Sequence, residues 1–445
     1  MLLGKNNLIN KNQHGFRTNR SCSTQILSHI NYILSNAVDK NEIDCVYIDY
    51  EKAFDIDHKI LIQKLHQLQI PSKYINWIKN FLQDRTQIVY VNETFSYPVK
   101  VLSGVPQGSV LGPILFVIYI NDLPNFLNNC NILTFADDTK IVSKINCTQD
   151  HINLQENLDN LINWTAINNM RLNKTKFEFI THNFGAENKN LKFLKELPFF
   201  EEFRLYYSSE KNVISYSPVV RDLGIYIDAE INWDYHRNKI YKKAKQLCGW
   251  ILNTFFTRNK NIMRTLFVSL VRPIIEYGCE IWSPYKLKDI LLLESIQRNF
   301  TSKITSLKYI NYTERMKELR LTSLQRRREK LIILHTWKIK NNIYPNTIDL
   351  KFKRDGRTNA DRAIIRSLPR VNVGLITKLD QSFIVKSARL WNKIPSNLTT
   401  ITEYNQFKSG LNLYLSKLPD VPPFPGYSCL HHNSVLDFSP SHYSS

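Results

Sequence analysis

The chain has 445 residues, 43% of them hydrophobic and 22% charged, which is the balance of a folded protein with a sizeable core and not of a disordered one. No apolar run approaches the roughly eighteen residues of a membrane span. Met1 opens onto no signal-peptide pattern, so no membrane partner is expected and an intracellular protein is. The formal charge of +20 is held unevenly. Residues 1–235 carry 23 Lys and Arg against 25 Asp and Glu, a net of −2, whereas residues 236–417 carry 36 against 12, a net of +24. A near-neutral module followed by a strongly basic one points to a phosphate backbone as partner, ahead of an acidic protein or a membrane surface. The seven cysteines show no CxxC pair and no metal-ligand spacing and read as reduced thiols. Cys429 beside His431 and His432 is one ligand short of a zinc site.

Along the chain, residues 1–25 are polar and are read as part of an incomplete subdomain. Helical spacing follows over 26–34 and 58–68, the latter placing Ile62, Leu65 and Leu68 on one face. Pro71 suits the opening of a helix that carries Ile75, Ile78 and Phe81. Residues 87–91 and 95–101 read as a hairpin, and 113–123 as a buried helix. A helix over 150–170 turns Leu154, Leu158, Leu161 and Ile162 toward a sheet. Residues 185–217 read as an extended ribbon or loop. Long helices are predicted over 239–256, 262–270, 286–307 and 313–340. The segment from Pro419, rich in Pro, Ser and His, is predicted to be disordered. Charge and periodicity change together near 230–240, which divides the chain into 1–235, 236–417 and a tail, 418–445. Strands with crossing helices, then helices, predict an α+β fold with a helical region after it.

The chemistry concentrates at Asp137-Asp138. The apolar run Leu133-Thr134-Phe135-Ala136 ends in these two carboxylates, and Ile141 and Val142 follow, which reads as a hairpin holding both acids at a strand end. A second apolar run, Cys45-Val46-Tyr47-Ile48, ends in Asp49. Two buried strands that each deliver a carboxylate build a site for hard divalent cations. Two such ions about 4 Å apart are the standard arrangement for in-line displacement at phosphorus. A lone Asp-Asp in a turn is usually solvated, so its surroundings decide.

Those surroundings are a set of motifs in fixed order: Gln13-His14-Gly15-Phe16-Arg17 with Ser21 to Thr24; Asp49-Tyr50-Glu51-Lys52-Ala53-Phe54-Asp55; Ser103-Gly104-Val105-Pro106-Gln107-Gly108-Ser109 with Leu111-Gly112-Pro113; Phe135-Ala136-Asp137-Asp138; Leu172-Asn173 with Lys176; and Asp222-Leu223-Gly224 with Ile227-Asp228. Over residues 13–228 the chain resembles the reverse transcriptase domain of non-LTR, LINE-type and jockey-like retrotransposons. The segment from Val271 to Trp282 extends the likeness with less specific motifs. The resemblance implies a polymerase right-hand palm with partial fingers, followed by a helical thumb. It implies an RNA-directed DNA polymerase that uses two Mg²⁺ or Mn²⁺ ions, an RNA template, a DNA primer and deoxyribonucleotides, in the nucleus or cytoplasm. No obligate protein partner is inferred.

Residue by residue, the resemblance makes Asp49 and Asp137 the metal ligands, with Asp138 as a supporting catalytic carboxylate. Phe54 matches the aromatic beneath the incoming sugar, where a ring excludes a 2′-hydroxyl. Gln107 and Gly108 lie on a loop that reaches nucleotide or template, and Lys176 matches a lysine near the leaving pyrophosphate. Arg17 is expected on template or phosphate. In the basic half, Arg326, Arg327 and Arg328, with Tyr312 and Trp337 nearby, suit backbone contact and base stacking on template and primer.

Two departures from the family stand out. The chain starts just before Gln13, and the family's upstream fingers segment and endonuclease are expected to be missing. After the first aspartate the family reads Ala-Phe-Asp-x-Val-Asp-His, and this chain, Ala53-Phe54-Asp55-Ile56-Asp57-His58, is one residue short. Together they suggest a truncated or decayed copy. The alternatives are a nucleic-acid-binding remnant without polymerase activity and a maturase-like splicing protein; the residues from Gln13 to Thr24 and from Asp222 to Asp228 fit the latter less well.

Overall fold

The computed structural model describes residues 8–184, 205–208, 212–344, 348, 350–356, 361–365, 369, 371–426 and 433–438. The chain forms two compact units, Met1–Gln25 with Ser35–Leu223, and Ile26–Leu34 with Gly224–Ser445. The division falls ahead of the change in charge, and it assigns a piece of the first helix to the second unit. Cys429, His431 and His432 lie outside the described residues.

The first helix, α1 (Cys22–Val38), starts where Ser21 and Thr24 cap one another's backbone N–H groups. The first unit is built on a five-stranded sheet. Its strands are β1 (Glu42–Ile48), β2 (Asn131–Phe135), β3 (Asp138–Ile145), β4 (Glu178–His182) and β5 (Ser215–Tyr216), in the order β5-β4-β1-β3-β2. Strand β1 is antiparallel to both neighbours, β4 on one side and β3 on the other. Its run of Val46 and Ile48 with Cys45 is buried, as a central strand covered on both faces should be. Strands β2 and β3 pair with Phe135 opposite Asp138, so only Ala136 and Asp137 make the turn. Ala136 takes the left-handed conformation (φ 55°) that a two-residue hairpin loop demands.

Helices cover the sheet. In α2 (His58–Gln67) the Asp57 carboxylate caps the N–H groups of Lys59 and Ile60. Pro71 precedes α3 (Ser72–Leu82), and α4 (Leu111–Tyr119) is apolar all round and buried. Along α5 (Thr148–Ile167), Leu154, Leu158, Leu161 and Trp164 are buried and join one core with Val46, Ile48, Phe116 and Ile141. Each fully buried side chain of this size contributes about 1.5–3 kcal/mol. Residues 86–100 form the predicted hairpin, with Thr86 opposite Lys100 and Tyr90 opposite Phe95.

The second unit is mainly helical. Its longer helices are α6 (Asp234–Thr254), α7 (Leu287–Thr301), α8 (Leu324–Lys340), α9 (Phe383–Asn392) and α10 (Tyr404–Lys417). The helix predicted over 313–340 is two helices, Tyr312–Glu318 and α8. Arg320 turns left-handed between them (φ 49°), and Ser323 caps the start of α8. The expectation of a wholly disordered tail is corrected too. Residues 419–426 and 433–438 pack on this unit: Pro419 and Asn433 offer carbonyls to Arg326, and Ser434 and Val435 donate to Glu329. Buried charges on α8 require those partners, which composition does not show. No helix among the described residues is long and apolar enough to cross a membrane.

Candidate active site

The register of β1 on β3 ends with Ile48 opposite Thr139. Asp49, one residue on, therefore leaves β1 at the same sheet end where Asp138 begins β3 and Asp137 occupies the turn. The three carboxylates collect there because two antiparallel strands and one tight turn finish together. Burial raises the Asp137 carboxyl above its ordinary range, and the charge of Asp49 adds to the rise. Asp138 is pushed up to about 6 by desolvation, then by Asp137 and Asp222, with Lys140 opposing.

Asp49 is fixed on both sides. Its carbonyl accepts from Asn173 N at 2.9 Å, which ties the turn Lys174–Lys176 to the strand end. The Lys176 ammonium lies 3.1 Å from Asp49 Oδ2. That oxygen is buried and accepts no hydrogen bond, so it has an ion-pair partner without hydrogen-bond geometry. A cavity of about 540 Å³ opens here, lined by Asp49, Asp138, Lys140, Lys176, Glu178 and Asp222.

These residues suit a hard divalent cation. Clustered carboxylates with raised pKa values, and a buried oxygen short of a hydrogen bond, are what a bound cation would relieve. Among the described residues no three His, Cys, Asp or Glu side chains are grouped as a metal cage. Mg²⁺ does not require one, since it is commonly held by one or two carboxylates with waters and substrate phosphates completing its shell.

Phe54 and Gln107 come together along a second, open cleft of about 1260 Å³. The Phe54 ring lies 4.5 Å from that of Phe116 and 6.4 Å from that of Phe16. The loop bearing Gln107 is pinned to the corner after Asp49: Gly104 N donates to Ile56 O, Val105 N donates to Phe54 O, and Ser103 donates to Asp55. Arg85 and His58 reach the Gly104 carbonyl at 2.7 and 2.8 Å. The corner after Phe54 is closed, with Ile56 in the core and Asp57 capping α2. Gly108 (φ 80°) has open space where a side chain would stand.

Arg17 is half-buried, and its Nη1 donates to Asn10 O at 2.7 Å, bracing its own loop. The expectation for Arg326, Arg327 and Arg328 is corrected. Arg326 is 2% exposed and donates to the carbonyls of Asn433, Leu415 and Pro419. Arg328 is 1% exposed, and Arg327 pairs with Glu276. Three successive residues on a helix point about 100° apart, so packing turned two of them inward.

Sequence reasoning missed the residues that hold the site. Gln13 Oε1 accepts from Ala136 N at 2.9 Å and from Gly15 N at 2.6 Å. A Cβ on Gly15 would meet Ala136 N at 2.2 Å, so only glycine permits this approach. Lys140, two residues after Asp138, is buried in an ion pair with Asp222 and reaches Gln25 Oε1 at 3.2 Å. Gln13, Gly15 and Asp222 stand in motifs the sequence showed, whereas Lys140 and Gln25 lie one or two residues past one and carried no signal of their own.

Residues 1–195, which hold the strand-end and turn carboxylates and the pinned glycine loop, match the family described as Reverse transcriptase (RNA-dependent DNA polymerase). Among the proteins it resembles are mobile-element polymerases of Drosophila melanogaster. They include the "Probable RNA-directed DNA polymerase from transposon BS" (29% identical over 69% of this chain and 34% of that protein) and its X-element counterpart (23%, over 71% and 34%). The RNA-directed DNA polymerase from mobile element jockey is 24% identical over 79% of this chain and 38% of that protein. The chain spans about a third of the length of these relatives. Among solved structures, the telomerase of Candida albicans with a telomeric RNA fragment aligns over 87% of this chain and 52% of that one, at 12% identity. The TM-score of that alignment is 0.40.

Proposed function

We propose that this chain is the RNA-directed DNA polymerase part of a non-LTR, jockey-like retrotransposon protein, extending a DNA primer on an RNA template. The observation that carries the reading is the strand register that brings Asp49 to the end of the sheet where Asp137 and Asp138 stand. In this reading the sheet of the first unit is the palm and the helical second unit is the thumb and its continuation.

Asp49 and Asp137 would hold Mg²⁺ or Mn²⁺, which supplies charge to ease deprotonation of the primer 3′-hydroxyl and to neutralise the leaving pyrophosphate. Asp138 keeps the local field negative. Lys176, exposed beside Asp49, provides a cation for the departing phosphates. Phe54, backed by Phe116, presents a ring beneath the incoming sugar and disfavours a 2′-hydroxyl. Gln107 rides on a loop whose base is fixed to the Phe54 corner, so nucleotide contacts are made from a rigid platform. The excess of Lys and Arg after residue 236 provides for the template and primer backbones.

The test is primer extension on an RNA template with Mg²⁺ or Mn²⁺, using the native protein, Asp49→Asn and Asp137→Asn. Extension by the native protein and a fall of at least about a thousandfold in both variants supports the site. Equal extension by all three would show that the carboxylates are not the catalytic ones. No extension by the native protein, together with retained nucleic-acid binding, would favour the binding remnant.

A further inference from the structure

From Tyr235 to Ile275 the sequence has no Asp or Glu and nine Lys and Arg. The first half of this run is α6. Its inner side is set by His236, Arg237, Ile240, Ala244, Cys248 and Ile251, all buried. The outer side carries Lys239, Lys242, Lys243 and Lys245, all exposed. The ion pairs of this helix are those of Arg237 with Asp234 and Asp289. Among the described residues none of the four lysines has an ion-pair partner; Lys239 only overlies the Tyr235 ring, at 5.3 Å.

Helical spacing puts Lys239, Lys243, Gln246 and Trp250 on one stripe, which at 1.5 Å per residue runs about 17 Å. Trp250 ends it, 53% exposed, with Phe255 set edge-on to its ring at 6.2 Å. Like charges one turn apart, as at Lys239 and Lys243, cost a helix a few tenths of a kcal/mol. About half of the Trp250 indole is left in water, an apolar surface that a stacking ligand would cover. Each feature is relieved by an anionic, flat-faced ligand.

The candidates are separable on chemistry. A bilayer surface takes a helix whose apolar face is free to insert, and the apolar side of α6 is buried in its own unit. An acidic protein would neutralise the lysines and leave Trp250 without a role. A nucleic-acid single strand offers regularly spaced phosphates and unpaired bases to stack.

We propose that the outer face of α6 is a track for single-stranded nucleic acid, with Lys239, Lys242, Lys243 and Lys245 on the phosphates and Trp250 under an unpaired base. The assignment rests on the polymerase reading and names the surface that Arg326, Arg327 and Arg328 do not supply. RNA and DNA strands share this chemistry, and the binding assay separates them.

The test is equilibrium binding of the full chain to labelled single-stranded RNA, single-stranded DNA and a blunt duplex of equal length, from about 50 to 300 mM salt. Changing the four lysines to Gln should weaken single-strand binding about ten- to a hundredfold. It should also flatten the log–log salt dependence by about 3, near 0.7 per lost contact. The four-Arg variant should keep the native slope. Trp250→Ala should weaken single-strand binding about five- to a hundredfold, with the slope and duplex binding unchanged. A native slope in the four-Gln variant, or an equal loss of duplex binding in Trp250→Ala, would overturn the track. Tighter binding of the native protein to phosphatidylserine vesicles than to either strand would overturn it as well. If the native protein binds no strand, the polymerase reading fails with the track. If it binds steeply and every variant behaves like it, only the track fails.

Discussion

The side chain of Gln13 closes on the backbone of Ala136 from both ends, Oε1 accepting from its N–H at 2.9 Å and Nε2 donating to its carbonyl at 3.3 Å. The backbone on either side joins in, since His14 N donates to Thr134 O and Thr134 N to Asn12 O. Ala136 is left-handed and immediately precedes Asp137. The N-terminal motif therefore acts as a clamp on the turn that carries the carboxylate.

Gln13→Ala should cost about 1–3 kcal/mol, because it strips a partner from a buried backbone N–H. The Mg²⁺ concentration for half-maximal extension should rise as well, as the turn loosens. Denaturant unfolding and a metal titration of primer extension measure the two effects. A loss of stability with an unchanged metal requirement would confine Gln13 to the fold.

Asp138 gives a pH dependence of defined sign. Its folded pKa, about 6, lies above the ordinary 3.8, so the folded chain keeps this proton longer than the unfolded one. Its contribution is most favourable below about 3.8, declines as pH rises through that window, and is a constant penalty above 6. Asp138→Asn should therefore stabilise the metal-free protein at pH 7.5 by about 1 kcal/mol, far less than the full shift implies, because the side chain is exposed. The gain should vanish below pH 4. Urea unfolding in chelator at both pH values decides it, and a gain that persists at pH 4 contradicts the account.

Lys140 and Asp222 are 2% and 5% exposed. Lys140→Met leaves a carboxylate buried without its cation and should destabilise the chain by about 3–5 kcal/mol. Replacing both, as Lys140→Met with Asp222→Leu, should recover most of that. Thermal melts of the single and double variants form the cycle. Additive losses would mean that the two side chains are not coupled.

Residues 433–438 should be needed by the second unit. Ser434 Oγ and Val435 N each donate to Glu329 at 2.7 Å, and Asn433 O accepts from Arg326 Nε at 2.7 Å. Ending the chain at Gly426 takes both tail donors from the buried Glu329 and one of three carbonyls from Arg326, and should cost about 2–4 kcal/mol. Unfolding followed by tryptophan fluorescence would register it, since Trp337 and Trp391 are fully buried in this unit. An unchanged transition would return the tail to the status of a loose appendage.

What the sequence determined by itself is local. Apolar runs that end in Asp49 and in Asp137-Asp138, and the Pro-Gly loop between them, set strand, turn and corner, because a two-residue turn and a two-residue side-chain period leave little freedom. Helices α2, α3 and α5 were legible because each carries one apolar face at helical spacing, and α4 because its whole length is apolar. The tertiary structure decided which charges meet and which face water. Lys140 found Asp222 82 residues away, and Gln13 found Ala136 123 residues away, separations at which periodicity carries no information. Arg326, Arg327 and Arg328 read alike in sequence. Packing turned Arg326 and Arg328 inward and set Arg327 against Glu276; Arg326 is retained in the interior where the carbonyls of the returning tail converge on its guanidinium.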